Sequence, residues 1–189
     1  MQLDLIRVFE GYVRNYHTFN LSVHHGKHSF TMTEIEYFSR LGSMLGYYPF
    51  TEDTCNGKRR AMDLTWWGSY SYEDDYWHDF ALHLERENYF KKDEETLDKL
   101  FADAEVTPRH AIGILNVRNG ARADELLKIA KSMCKLDEAL LVFRTYSSGK
   151  RQPFFDEVRA YRLRKSKLVD ERRASVTSID GTLFMKLAE

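Results

Sequence analysis

The stretch AMDLTWWGSYSYEDDYWHDFALHLEREN, residues 61–88, decides the fold. It contains two runs with strand character, residues 61–67 and 79–88, joined by the turn-rich segment GSYSYEDDYW. Residues two apart in a strand share a face, so His83, Glu85 and Glu87 line one side while Leu82 and Leu84 line the other. Neighbouring strands lie about 5 Å apart. Asp63 on the first run therefore meets Glu85 and Glu87 at one end of the sheet. Three acids converging there repel one another unless a cation sits between them. Oxygen-only ligands select a hard ion, Mg²⁺ or Mn²⁺.

Working outward toward the N-terminus, YYPFT at 47–51 reads as a strand, placed at an edge because Pro49 lacks a backbone donor. The polar DTCNGKRR that follows, with Asn56-Gly57, reads as a loop. Residues 33–45 form a helical pattern, with Thr33 as N-cap and Gly46 ending it. Ile35, Phe38, Leu41 and Leu45 form its apolar stripe. Glu34 falls within that stripe and Glu36 points to the opposite, Arg40 side. An inward acid needs a partner, unless it sits at a solvated first turn, where its charge suits the helix dipole. Residues 3–17 form another helical pattern carrying Leu5, Val8, Phe9, Tyr12 and Val13. His24, His25 and His28 lie in the intervening loop and read as structural or exposed, since no matching ligand cluster is near.

Toward the C-terminus, residues 93–101 form a helix with Leu97, Leu100 and Phe101 inward. A strand at 111–117, a helix at 123–134 and a strand at 139–145 follow. The two apolar strands separated by a helix read as buried parallel neighbours. Residues 158–163 and 175–187 read as extended pieces beyond the core. The expected fold is α/β, a three-layer arrangement of a mixed sheet flanked by helices. It forms one domain over 1–189, with its core at about 33–145.

The chain is 43% hydrophobic and 30% charged, as globular domains are. No apolar run reaches the roughly 18 residues of a membrane helix, and the first ten residues do not read as a signal peptide. Cys55 and Cys134 allow one disulfide but no disulfide framework or zinc ligand set, so a reduced, cytoplasmic setting is expected. The net charge of −1 gives no global basic field. Arg159, Arg162, Arg164, Lys165, Lys167, Arg172 and Arg173 nevertheless crowd the C-terminal region. They read either as a solvated face or as a surface that contacts phosphate.

Glu34 on a helix, Asp63 on the second strand and Glu85-x-Glu87 on the third resemble the PD-(D/E)XK nuclease superfamily, over residues 33–145. The sequence departs from that pattern at Met62, where the superfamily often has proline, and at Glu87, where it usually has lysine. The resemblance implies a restriction-endonuclease-like fold and a Mg²⁺- or Mn²⁺-dependent nuclease acting on nucleic acid, DNA in the first instance. It implies that Asp63 and Glu85 hold the metal, with Glu34 contacting it directly or through water. Glu87 would orient the attacking water or take its proton, and Lys99 on the following helix would reach back to supply the missing cation. Many such nucleases cut two strands with two sites, so the resemblance also implies a homodimer. Trp66, Trp67, Tyr70, Tyr72, Tyr76 and Trp77 around these strands either stack on unpaired bases or pack in the core and over the hairpin.

The glutamate at 87 and the near-neutral charge equally suit a catalytically inactive relative that binds a partner. No P-loop, Gly-x-Gly-x-x-Gly or Gly-x-Ser-x-Gly pattern supports another enzyme class.

Overall fold

The computed structural model describes residues 3–19, 27–54, 61–102, 106–145 and 155–188. Alternation of apolar and polar side chains lays β2 (Met62–Ser71) against β3 (Tyr76–Glu87) as a long antiparallel hairpin. Much of the segment expected to be a connection is thus strand, and only residues 72–75 turn. Asp75 there has φ of 51°, and Ser71 and Asp74 close the turn by a side-chain hydrogen bond. On the outer side β1 (Tyr48–Asp53) pairs antiparallel with β2 and forms one edge, as Pro49 requires.

After β3 the chain crosses through α3 (Asp93–Phe101) to β4 (His110–Val117), then through α4 (Gly120–Met133) to β5 (Glu138–Thr145). Both crossovers produce parallel pairs, and β4 and β5 are buried along nearly their whole length. The tail does not lie outside this sheet. Residues of β6 (Glu157–Arg164), β7 (Lys167–Ile179) and β8 (Thr182–Leu187) continue it antiparallel, giving eight strands in chain order. Val158, Ala160, Tyr161, Leu163, Ala174, Val176 and Leu183 are buried there, so the outer strands contribute to the core.

Two helices lie on each face. Beneath α1 (Leu5–Asn15) and α2 (Lys27–Met44), residues Phe9, Tyr12, Ile35 and Phe38 pack on Leu64, Trp66, Leu84, Ile114 and Val142. Beneath α3 and α4, residues Leu97, Leu100, Leu126 and Ala130 pack on Leu115, Leu141 and Phe143. Gly42 lets α2 approach the sheet, since a Cβ there would meet the Trp66 ring at 2.6 Å. α2 also begins earlier than Thr33. The Thr33 hydroxyl donates back to the Ser29 carbonyl at 2.9 Å, the bond of a residue inside a helix rather than of an N-cap.

His24, His25, the side chain of His28, Cys55 and the Asn56-Gly57 turn lie outside the described residues. Among the described residues, no helix is long and apolar enough to cross a membrane.

Candidate active site

β2 and β3 stop pairing through their backbones at Leu64 and Leu84, and side chains take over. Asp63 Oδ2 accepts the Arg86 N–H at 2.7 Å, and the Asp63 N–H points at Glu85 Oε1 at 3.4 Å. These bonds hold both carboxylates on the sheet face that α3 covers. His83 lies on the same face and is fully buried, with its Nε2 2.5 Å from Glu85 Oε1. Burial leaves the Glu85 carboxylate few orientations.

The cation comes from α3. Leu97 and Leu100 anchor that helix in the core, and Lys99 lies on the flank of the buried stripe. Its Nζ sits 2.6 Å from Glu85 Oε2 and 3.8 Å from Asp63 Oδ1. The glutamate is 4% exposed, the lysine 19% and the aspartate 30%, so the cluster opens to solvent on the Asp63 side. Burial, and next the neighbouring Glu85 charge, push the Asp63 carboxyl up to about 6. The Arg86 N–H, Lys99 and His83 pull in the other direction without cancelling this.

Glu87 shares this face and is partly exposed. Its Oε1 accepts the Tyr89 N–H at 2.7 Å. Asp63, Glu85 and Lys99 are thus brought together, with Glu87 one step further along the strand.

Glu34 is not brought to them. Its helical phase does turn it inward, but toward the opposite face of the sheet. There Arg86 Nε donates to Glu34 Oε2 at 2.5 Å, and Arg144 and the Tyr12 hydroxyl engage Oε1. Arg86 also reaches the Glu87 and Ile114 carbonyls and Asn116 Oδ1. Arg144 lies over the Phe155 ring, 4.6 Å from its centroid. Glu34, Arg86 and Arg144 are all buried, so the acid has the partners an inward carboxylate needs. The sequence carried the signal in strand alternation, which sets Arg86 on the face of Leu82 and Leu84, under α2.

Asp53 was hidden in an apparently polar loop. It is buried at the end of β1 and accepts from the Thr65 hydroxyl at 2.5 Å and from Trp67 Nε1 at 2.8 Å. A buried tryptophan N–H needs such an acceptor. Trp66 and Trp67 are core residues, whereas Tyr48, Phe50 and Tyr70 pack around Trp77 over the hairpin.

The C-terminal arginines are interleaved with acids. Arg159 and Arg173 pair with Glu157, Arg162 and Arg164 with Glu138, and Arg172 with Asp170. Such pairing lowers the net positive charge that this region could present to phosphate.

Two carboxylates from adjacent strands suit a hard divalent ion that keeps several of its waters. Among the described residues, no group of three or more His, Cys, Asp or Glu side chains is arranged to hold a metal. A divalent ion at Asp63 and Glu85 would therefore be held by two protein side chains. Compared with known proteins, the chain matches no family model, and no curated protein matches it at a significant level.

Proposed function

We propose that this protein is a Mg²⁺- or Mn²⁺-dependent phosphodiesterase of nucleic acid with a restriction-endonuclease-like core. The observation that carries the reading is the convergence of Asp63, Glu85 and Lys99 at a half-open end of the sheet. The element order, α2 and three antiparallel strands followed by α3 and a parallel β4, supports the resemblance drawn from the sequence. Lys99 answers the departure at position 87, because the cation that the motif lacks on β3 arrives from α3.

Asp63 and Glu85 would hold the ion, and the repulsion between these neighbouring carboxylates favours its binding. A bound divalent ion supplies Lewis-acid polarisation of the phosphoryl group and a more acidic water. Lys99 stabilises the negative charge that develops on the phosphate oxygens. His83 fixes the Glu85 carboxylate. Glu87, whose Oε1 is held by the Tyr89 N–H, would take the proton of the attacking water.

One observation favours a second reading. Lys99 already bridges both carboxylates, which suits a closed ion pair in a non-catalytic binding protein.

Incubation of the purified protein with labelled single- and double-stranded oligonucleotides, with Mg²⁺ or Mn²⁺ and with chelator, separates the two. Metal-dependent cleavage that falls at least about 100-fold in Glu85→Ala and Lys99→Met is expected. Equal cleavage by wild type and Glu85→Ala would overturn the assignment, and absence of cleavage together with absence of metal binding would favour the closed ion pair.

A further inference from the structure

Each carboxylate of the Asp63–Glu85 pair turns one oxygen to the fold and the other to the lysine. Glu85 Oε1 meets His83 Nε2 at 2.5 Å, and Asp63 Oδ2 accepts the Arg86 N–H at 2.7 Å. The second oxygens, Glu85 Oε2 and Asp63 Oδ1, lie 2.6 and 3.8 Å from Lys99 Nζ. A Mg²⁺ ion binds oxygen at about 2.1 Å, so an ion on Glu85 Oε2 comes within about 5 Å of Nζ at its observed place. At that separation, in a partly buried cluster, a doubly charged ion and an ammonium repel strongly. The two cations therefore compete for the same pair of oxygens.

The lysine side chain can leave without disturbing the fold. Leu97 and Leu100 are buried and hold α3 in the core, which fixes the backbone beside Lys99. Its own side chain lies on the flank of that stripe, 19% exposed, on a flexible four-carbon stem. Asp63, 30% exposed, marks the open side toward which the ammonium can turn. Glu85 is 4% exposed and held by His83, so an exchange moves the cation and leaves the carboxylate in place.

We propose that Lys99 holds the carboxylate pair as a resident cation and yields it to the divalent ion, its ammonium turning out toward the open side at Asp63. The inference rests on the nuclease reading and adds the regulation of that site. The ion pair is the resting form, and metal affinity is set by competition with the chain's own lysine. Lys99 thereby acts twice. In place, it offsets the repulsion between two neighbouring carboxylates. Released, it stands on the solvent side of the site, where it can meet charge developing on a phosphate.

Two measurements on the full chain test this, and neither reads cleavage. Mn²⁺ titration, followed by the free-ion electron paramagnetic resonance signal, compares wild type, Lys99→Met and Lys99→Arg. Methionine keeps much of the stem and removes the charge, so Lys99→Met should bind Mn²⁺ at least about tenfold more tightly than wild type. Lys99→Arg keeps the charge and should bind no more tightly than wild type. The second measurement needs no substitution. Acetylation by a limiting amine-reactive ester, mapped by peptide mass spectrometry, should rise at least about threefold at Lys99 on adding saturating Mg²⁺, while the exposed Lys91 and Lys92 stay constant.

Tighter binding by Lys99→Met, together with its slower cleavage, is a combination that a merely structural lysine does not give. Binding by Lys99→Met equal to or weaker than wild type, or Lys99 acetylation indifferent to Mg²⁺, overturns the exchange even if metal-dependent cleavage is found. Saturable binding in neither protein overturns it together with the metal site. Tighter binding by Lys99→Met supports the exchange even if wild type cleaves nothing, so the two readings fail separately.

Discussion

Glu85 and Arg86 are neighbours on β3, yet the faces they serve are built in opposite ways. On the α3 side, two carboxylates share one lysine, and the cluster stays open to solvent at Asp63. On the α2 side, two arginines share one glutamate in the buried interior, with tyrosine, asparagine and backbone carbonyls as further partners. The first cluster sets two carboxylates side by side with access to solvent, an arrangement that suits a cation. The second has excess positive charge and no access, the conditions for joining α2 to the sheet. An acid in a sequence pattern acquires its role from the face it turns to and from the charges already there, and Glu34 illustrates this.

The sharpest test of the contrast is stability. Glu34→Ala strands two buried guanidiniums and should cost about 3–5 kcal/mol in urea unfolding. Any loss of activity should then follow the folded fraction. A stable Glu34→Ala with abolished metal binding would instead place Glu34 in the site.

Glu87→Gln is the next largest effect. It keeps an oxygen for the Tyr89 N–H and removes a proton acceptor, so the maximal rate should fall about 100-fold while folding and metal affinity hold. Unchanged turnover in Glu87→Gln would remove its role as base.

A smaller effect follows from pH. The folded protein holds the Asp63 proton more tightly than the unfolded chain, because its carboxyl stands at about 6 rather than 3.8. The stability this contributes is complete below 3.8 and is lost as pH rises through about 6. Above that range the ionised carboxylate is a standing cost, which Asp63→Asn removes. The variant should therefore melt higher than wild type near pH 8, and the difference should vanish near pH 4 when measured by differential scanning fluorimetry. A difference independent of pH would contradict the buried setting that raises the Asp63 carboxyl.

The smallest change is expected at the C-terminal arginines. Arg173→Ala removes an exposed pair with Glu171 and should shift stability by less than about 1 kcal/mol in the same unfolding assay.

The sequence made the faces legible more readily than the partners. Period two separates Glu85 from Leu84, and apolar runs at β4 and β5 identify buried parallel strands, because both signals are local. The junction of β6, β7 and β8 with the sheet is not local. Their alternating arginines and acids suit any solvated strand, and only the pairing of β5 with β6 fixes them in the core. Helical phase turns Glu34 inward but leaves open which cation it meets, since Arg144 lies far away in the chain. Asp53 had no local signal beyond the need of Trp67 for a buried acceptor. Lys99 was within reach of helical spacing because α3 follows β3 directly, so the crossover carries the lysine back over the carboxylates.

Titration of the purified protein with Mn²⁺, followed by the loss of free-ion electron paramagnetic resonance signal, tests the central claim most directly. One ion bound per chain, with affinity at least about tenfold weaker in Asp63→Asn and Glu85→Gln and unchanged in the hairpin variant Tyr72→Ala, is the expected result. No saturable binding by wild type, or equal binding by all the variants, would contradict a metal site between β2 and β3.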